Sequence, residues 1–318
     1  MDTGKTQRGA ESVPAVTGKV GEGRCAPTRG SSVPALRKLV NEALDRTLPS
    51  PEQEPRDVQA AMRHAVLGGG HRWRPILLLQ SGAVYGCEHE KLMPAAVAVE
   101  LLHGASVILD DLPCMDAAST RRGKPACHVA FGEAPTVLAS HKLVMLALDL
   151  LEKYGPRVPL AAMARKAVCG MVAGQSADLR SSPMARSCPD AVDLLVRNHV
   201  AKTGTLFRFA VRAGALLAEA PTNDLDALDA FACDVALAYQ YLDDVSDADG
   251  TALEQGKPAG LDVGRLSAVS VYGLEGARNQ ARTLMERAVE HLESIRTPTR
   301  ALREIAAIVC TPGKPRIP

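Results

Sequence analysis

The stretch HGASVILDDLPCMD, residues 103–116, runs an apolar segment of helical spacing directly into three carboxylates, and YQYLDDVSD, residues 239–247, does so again. Asp243 and Asp247 stand four residues apart, so a helix places them on one face about 6 Å apart along its axis. Like charges so placed repel unless a cation lies between them. A solvated helix end is the ordinary explanation for an acidic pair, yet Tyr239, Tyr241 and Leu242 precede these acids with no Lys or Arg interleaved. Such a donor set suits Mg2+, which takes one or two carboxylates and completes its shell with water and phosphate oxygens. The first cluster is less regular. Asp110 and Asp116 would diverge on an unbroken helix, so Pro113 must mark a bend if Asp110, Asp111 and Asp116 are to converge.

Helical periodicity extends outward from these two stretches. Leu36, Leu39, Val40, Ala43 and Leu44 make one apolar stripe from Val33 onward, ending before PSPEQEP. A second segment, 57–67, stops at the triple glycine 68–70, a third begins at Pro75, and the next covers 94–111. Later helical patterns cover 135–154, 159–179, 189–218, 223–248, 267–295 and 299–310, separated by Gly, Pro, Ser and Asn turn clusters. Strand alternation and Asn-Gly hairpin signals are missing, which predicts an all-α domain of about ten helices over residues 35–318. Residues 1–34, rich in Gly, Ser, Thr, Pro and Arg, read as a disordered tail. An organelle transit peptide is the alternative, but Asp2, Glu11 and Glu22 and the weak amphipathic pattern speak for a cytoplasmic chain.

Composition removes several function classes. A formal net charge of +1 over 318 residues leaves no electrostatic footprint for nucleic acid, and 3% aromatic residues argue against stacking on bases or sugars. The eight cysteines form no zinc-ligand spacing and read as reduced thiols. Ala95 to Leu109, the longest apolar helical stretch, is interrupted by Glu100 and His103 and falls short of a bilayer span. Anion recognition must therefore be local. Arg72 and Arg74 follow the triple glycine, Arg121, Arg122 and Lys124 follow the first acids, and Lys202 and Lys257 sit in AKTG and QGKP. Cations flanking acidic clusters suit a metal-bridged diphosphate clamped from both sides.

The set GGGHRWRP (68–75), ELLHGASVILDDLPCMD (100–116), STRRGKPACHVAFGE (119–133), GMVAGQSADL (170–179), NHVAKTGTLF (198–207), YQYLDDVSD (239–247) and GKPAGLDVGR (256–265) resembles the trans-polyprenyl diphosphate synthases, above all the geranylgeranyl diphosphate synthases of carotenoid pathways. The resemblance implies an all-α isoprenoid synthase fold around a central cavity. It also implies Mg2+-dependent 1'-4 condensation of isopentenyl diphosphate with an allylic diphosphate, and a homodimer or a heteromeric pairing. It further implies that Asp110, Asp111, Asp116, Asp243, Asp244 and Asp247 hold Mg2+, three ions once substrate is bound. On the same grounds Arg121, Lys202 and Lys257 would contact the allylic diphosphate. His71, Arg74, His103 and Arg122 would hold isopentenyl diphosphate, Gln175 would lie near the reacting carbons, and Thr203, Gln240 and Arg265 would complete the substrate site.

Departures from the family pattern are specific. His71 and Arg265 stand where Lys is common, His141 where Asp is common, and Ala117, Ala118 and Ser119 lack acids often found there. An imidazole carries only fractional charge near neutral pH, so isopentenyl diphosphate would bind more weakly. Ser106 and Ala105 lie four and five residues before Asp110, about 6 and 7.5 Å down the helix. If they face the cavity, their small size favours a C20 product over the C15 farnesyl diphosphate. A regulatory subunit of a heteromeric synthase is the second functional class, but both Asp triads are intact. A class I terpene cyclase is the third, and DDVSD argues against it.

Overall fold

The apolar stripes fold as helices in a computed structural model that describes residues 32–181, 188–250 and 265–309. Lys257, Cys25, Cys310 and residues 1–31 of the expected tail lie outside the described residues. Helix α1 (Val33–Thr47) starts with Pro34 in its first turn, and α2 (Arg56–Leu67) ends at the glycine triplet. Next come α3 (Trp73–Val84), α4 (His89–Asp110), a short α5 (Cys127–Phe131), α6 (Glu133–Glu152) and α7 (Leu160–Arg180). The single helical pattern expected over 189–218 is divided into α8 (Ala191–His199), a π-helical turn at Val200–Gly204 and α9 (Thr205–Leu217). Helix α10 (Thr222–Ala248) packs along α11 (Ala268–His291), which kinks at Gly273, and α12 (Arg300–Val309) closes the described chain.

Helix α4 lies in the middle, against α3 on one side and α6 on the other, with Ala95 to Val99, Leu101, Leu102, Ala105 and Ile108 buried. It begins five residues before the expected Pro94, which sits in the second turn at the cost of one backbone hydrogen bond, the one that would reach the Glu90 carbonyl. By length and composition α4 and α6 are both apolar enough to cross a membrane, a correction to the sequence reading. The burial of α4 among other helices is what a core helix of a globular domain shows.

A two-residue hairpin was not foreseen. Thr120–Arg121 pairs antiparallel with Lys124–Pro125 around Arg122 and Gly123, both with positive φ, 55° and 74°. That is the geometry of a two-residue primed turn, and Arg122 adopts it without the usual Asn or Asp.

Where α1 to α4 meet, the core contains an ion pair. Arg72 and Glu100 are each 3% exposed, and Arg72 Nη1 donates to Glu100 Oε1 at 2.6 Å. Its Nη2 donates to the Val66 carbonyl and its Nε to Asn41 Oδ1, so one guanidinium ties four helices. Arg72 is therefore committed to the framework and not to a phosphate clamp. Removing one partner leaves the other charge buried alone, which costs about 3–5 kcal/mol. Glu100→Ala should lower the thermal midpoint accordingly in a calorimetric scan, and Glu100→Leu combined with Arg72→Met should recover most of the loss.

Candidate active site

The first acidic cluster converges because the helix stops. Helix α4 ends at Asp110, and the chain turns back until the Asp116 amide donates to the Asp110 carbonyl at 2.9 Å, with Ala117 at positive φ. Asp111 is 1% exposed and accepts from Arg121 Nε at 3.0 and 3.2 Å on its two oxygens, and from Arg121 Nη2. Asp243 and Asp247 are half-buried on α10, while Asp244 is buried between them.

Cations tie the first cluster to Asp178 on α7. Lys202 Nζ donates to Asp178 Oδ2 at 2.7 Å, and Arg265 Nη1 lies 2.8 Å from Asp116 Oδ1 and 3.6 Å from Asp178 Oδ2. The Arg265–Asp116 contact is charge to charge rather than an aligned hydrogen bond, which leaves Asp116 Oδ1 without a donor. Burial lowers the affinity of Lys202 for its proton, but Asp110 and Asp178 outweigh it and hold the ammonium charged. Burial works against the Arg121 charge as well, and the bond to Asp111 and the field of Asp243 prevail. Arg121 thus senses acids from both motifs.

Lys202 reaches this position through the π-turn. A widened turn re-aims its side chains, and such turns recur at functional sites. Gly174 lets α7 approach: a Cβ there would sit 2.3 Å from the Lys202 backbone nitrogen. One residue on, Gln175 donates from Nε2 to Met115 Sδ at 3.8 Å while its buried Oε1 accepts nothing. Asp178 itself was quoted within GQSADL and given no role; its partnership with Lys202 and Arg265 is visible only once α7 meets the π-turn. Thr203 Oγ1 donates to Gln240 Oε1 at 2.8 Å, so these two expected substrate contacts are engaged with each other.

Beside the acids lies a basic pocket. Arg74 Nη1 is 3.4 Å from His103 Nε2, and its guanidinium stands 4.5 Å from the Phe207 ring centre. Arg74 Nε is buried with no acceptor, and burial lowers the Arg74 pKa. His103 is driven well below the usual imidazole range by burial and then by Arg74, Arg122, Arg72 and Arg121, so it is a neutral ring among guanidiniums. Arg122 Nη1 donates to the Gly69 carbonyl, and its guanidinium lies against Gly70, where a Cβ would be 2.8 Å from Cζ. His71 stacks on Trp73 with ring centres 5.5 Å apart. Cations with an orphaned buried donor call for an anion.

Ala105 is buried, and its carbonyl accepts from Ser140 Oγ of α6 at 3.0 Å; Ser106 is half-buried and bonds to the His103 carbonyl. Both therefore stand on α4 directly below the acids.

The donor set fits a magnesium ion. Among the described residues no three His, Cys, Asp or Glu groups form a ready-made metal cage. Mg2+ needs none, since one or two carboxylates with water and phosphate oxygens complete its octahedron. Burial pushes Asp110 up to about 6 despite Lys202, an acid short of positive charge.

Comparison with known proteins identifies relatives of this chain. The family model described as polyprenyl synthetase matches residues 55–305. Geranylgeranyl pyrophosphate synthase 6, mitochondrial, of Arabidopsis thaliana is 40% identical over 274 residues, 80% of this chain and 82% of that protein. Farnesyl diphosphate synthase of Escherichia coli K12 is 37% identical over 274 residues, 82% of this chain and 90% of that one. The structure of a geranyltransferase from Helicobacter pylori, complexed with magnesium and isoprenyl diphosphate, superposes with a TM-score of 0.73 at 27% identity, covering 88% of this chain and 98% of that one.

Burial pushes Asp244 up to about 7, against the bonds it accepts from Ala268 and Gln240. A carboxyl with a raised folded pKa binds its proton more tightly folded than unfolded, so it costs stability as pH rises from the unfolded value through about 7. In metal-free protein, the thermal midpoint of Asp244→Asn relative to the parent should therefore climb by a few degrees between pH 5 and pH 8, measured by scanning calorimetry.

Proposed function

The chain belongs to the polyprenyl synthetase family, and on that premise we propose that it is a Mg2+-dependent synthase whose product is geranylgeranyl diphosphate. It is a prenyl diphosphate synthase that condenses isopentenyl diphosphate, and in our reading the acceptor is an allylic diphosphate joined head to tail. The observation that carries the reading is the adjacency of two unlike anion sites, one of carboxylates with Lys202 and Arg121, the other of arginines around the neutral His103.

In this reading Asp110, Asp116, Asp243 and Asp247 hold Mg2+ on the allylic diphosphate, three ions as the resemblance implies, with Lys202, Arg121 and Arg265 against the same group; of the six acids expected, Asp111 is engaged by Arg121 and Asp244 by Gln240 and Ala268. Lys257 takes its role from the resemblance alone. The bound metal would supply Lewis-acid stabilisation of charge on the departing diphosphate. The allylic C1–O bond breaks, and Lys202 and Arg121 stabilise the anion that leaves. Arg74, Arg122, His71 and His103 hold isopentenyl diphosphate so that its double bond attacks C1, forming the new C–C bond. The proton lost from C2 passes to the released diphosphate, so no Glu or His base is needed. The buried face of α4 keeps water from the cation.

Product length rests on Ala105 and Ser106, whose small side chains leave room for a C20 chain. Purified protein with Mg2+, labelled isopentenyl diphosphate and separate C5, C10 and C15 starters should yield mainly C20 alcohol after dephosphorylation. Asp110→Ala and Asp243→Ala should reduce turnover at least 1000-fold, as loss of a ligand for transition-state charge implies at about 4 kcal/mol or more. Ser106→Phe should shorten the product to C15. No elongation from any starter would sink the enzyme reading in favour of a regulatory subunit.

Helix α6 turns Leu138 and Met145 outward at 57% and 54% exposure, seven residues apart on one face, and α7 leaves Val172 64% exposed. We assign this apolar face to a subunit interface, with a second copy as partner and a related synthase as the heteromeric alternative. Sedimentation should give about twice the 33.6 kDa chain mass, and Leu138→Glu with Met145→Glu should give monomers.

A further inference from the structure

The sequence reading treats Asp244 as a metal ligand and Gln240 and Thr203 as substrate contacts, but their polar atoms face one another. Thr203 Oγ1 donates to Gln240 Oε1 at 2.8 Å, Gln240 Nε2 donates to Asp244 Oδ1 at 3.0 Å, and the Ala268 amide donates to Asp244 Oδ2 at 2.7 Å. His199 Nε2 lies 3.8 Å from the same Oδ2. Asp244 is 4% exposed, so this carboxylate is spent inside the protein.

Ala268 opens α11, and the residues just before it carry the other half of the arrangement. Ser267 caps the helix through a reciprocal pair with Ser270, and the Leu266 amide reaches Ser181 Oγ at the end of α7 at 3.4 Å. Arg265 then extends to Asp116 at 2.8 Å and Asp178 at 3.6 Å, and Asp178 returns to Lys202 at 2.7 Å. Lys202 is bonded through the backbone to Thr203. The path is therefore a closed circuit: Thr203, Gln240, Asp244, the start of α11, Arg265, Asp178, Lys202.

We propose that Thr203, Gln240 and Asp244 are positioning residues, a buried strut that fixes the start of α11 and thereby holds Arg265 and Lys202 at the diphosphate site. The ligand-facing acids of the second motif are then Asp243 and Asp247. An ion bound at Asp243 would find each Asp244 oxygen already engaged by a donor, Oδ1 by Gln240 and Oδ2 by Ala268, and turning the carboxylate toward the ion would forfeit both bonds. The strut explains why Gln240 belongs one turn before Asp244: an i, i+4 pair on α10 meets side by side.

The inference rests on the proposed reading of the site for its kinetic arm only; its structural arm uses substrate-free, metal-free protein. Asp244→Asn can keep the circuit, because Asn Oδ1 still accepts from Ala268, and Gln240 can turn over to bond its reversed neighbour and the Thr203 hydroxyl, which also accepts. Gln240→Leu breaks it without touching an acid. Hydrogen exchange of the segment 265–272 should quicken about tenfold or more in Gln240→Leu and Asp244→Ala, as loss of a charge-assisted bond implies, and stay near the parent rate in Asp244→Asn. In steady-state assays Gln240→Leu should raise KM for the allylic diphosphate about tenfold and leave KM for isopentenyl diphosphate little changed. The Mg2+ concentration for half-maximal rate should shift far more in Asp243→Asn than in Asp244→Asn. Equal shifts in those two variants, or unchanged exchange at 265–272 in Gln240→Leu, would overturn the strut. Loss of all elongation in the parent protein would instead strike the functional reading and leave the exchange result standing.

Discussion

Carboxylates gathered at the rim of an apolar core repel one another and lose hydration, and the whole site is arranged around that cost. Water would relieve it, but a synthase that makes an allylic cation must keep water out. The relief comes from fixed cations: Arg121 on Asp111, Lys202 on Asp178, and Arg265 between Asp178 and Asp116. It is incomplete, since Asp110 stays raised to about 6 and Asp116 Oδ1 lacks a donor. An acid left short of positive charge is an acid ready for a metal ion, and an incoming ion meets sites already dehydrated.

The basic pocket next door solves the opposite problem. Arg74, Arg121 and Arg122 cannot give up their protons, so their mutual repulsion has to be absorbed by the framework. Arg72 shows one means, since Glu100 neutralises it within the core and leaves its neighbours to face a ligand. His103 shows another, for an imidazole surrounded by guanidiniums goes neutral and offers a hydrogen bond instead of a charge. Arg121 is already paired with Asp111, and Arg74 and Arg122 would join the neighbouring acids too if the backbones could move. The helix end at Asp110, the π-turn at Lys202 and the hairpin at Arg122 hold them apart.

Much of this was legible in the sequence, and for physical reasons. Helical periodicity located α1 to α4 and α10 within a few residues because core faces leave a repeating apolar signal. Gly, Pro and Asp clusters announced the site because each marks a local need: a turn, a helix end, a charge. What could not be read were partnerships across the fold. Asp178, Glu100 and Ser140 are ordinary polar residues on helices, and only packing makes Asp178 the counter-ion of Lys202 or Glu100 that of Arg72. The hairpin was missed because Arg122 takes a left-handed backbone without the usual turn residue. The π-turn was missed because α8 is too short for the phase shift of about 100° that an extra residue brings to stand out. Three acids in a motif look alike in a sequence, while burial and the Ala268 amide set Asp244 apart from Asp243 and Asp247.

His71 shows how far such a site can drift. The resemblance leads one to expect an ammonium there, whereas this chain places an imidazole stacked on Trp73. A lysine would be a hydrated point charge on a flexible stem; a stacked imidazole is held in one orientation and loses less entropy when a phosphate oxygen arrives. The exchange gives up charge and gains order. It is tolerable because Arg74 and Arg122 already provide the permanent positive potential, and one brings a buried Nε that no protein acceptor satisfies. On the proposed reading, affinity for the diphosphate would depend on the arginines, and His71 would contribute direction to a pocket whose charge is settled without it.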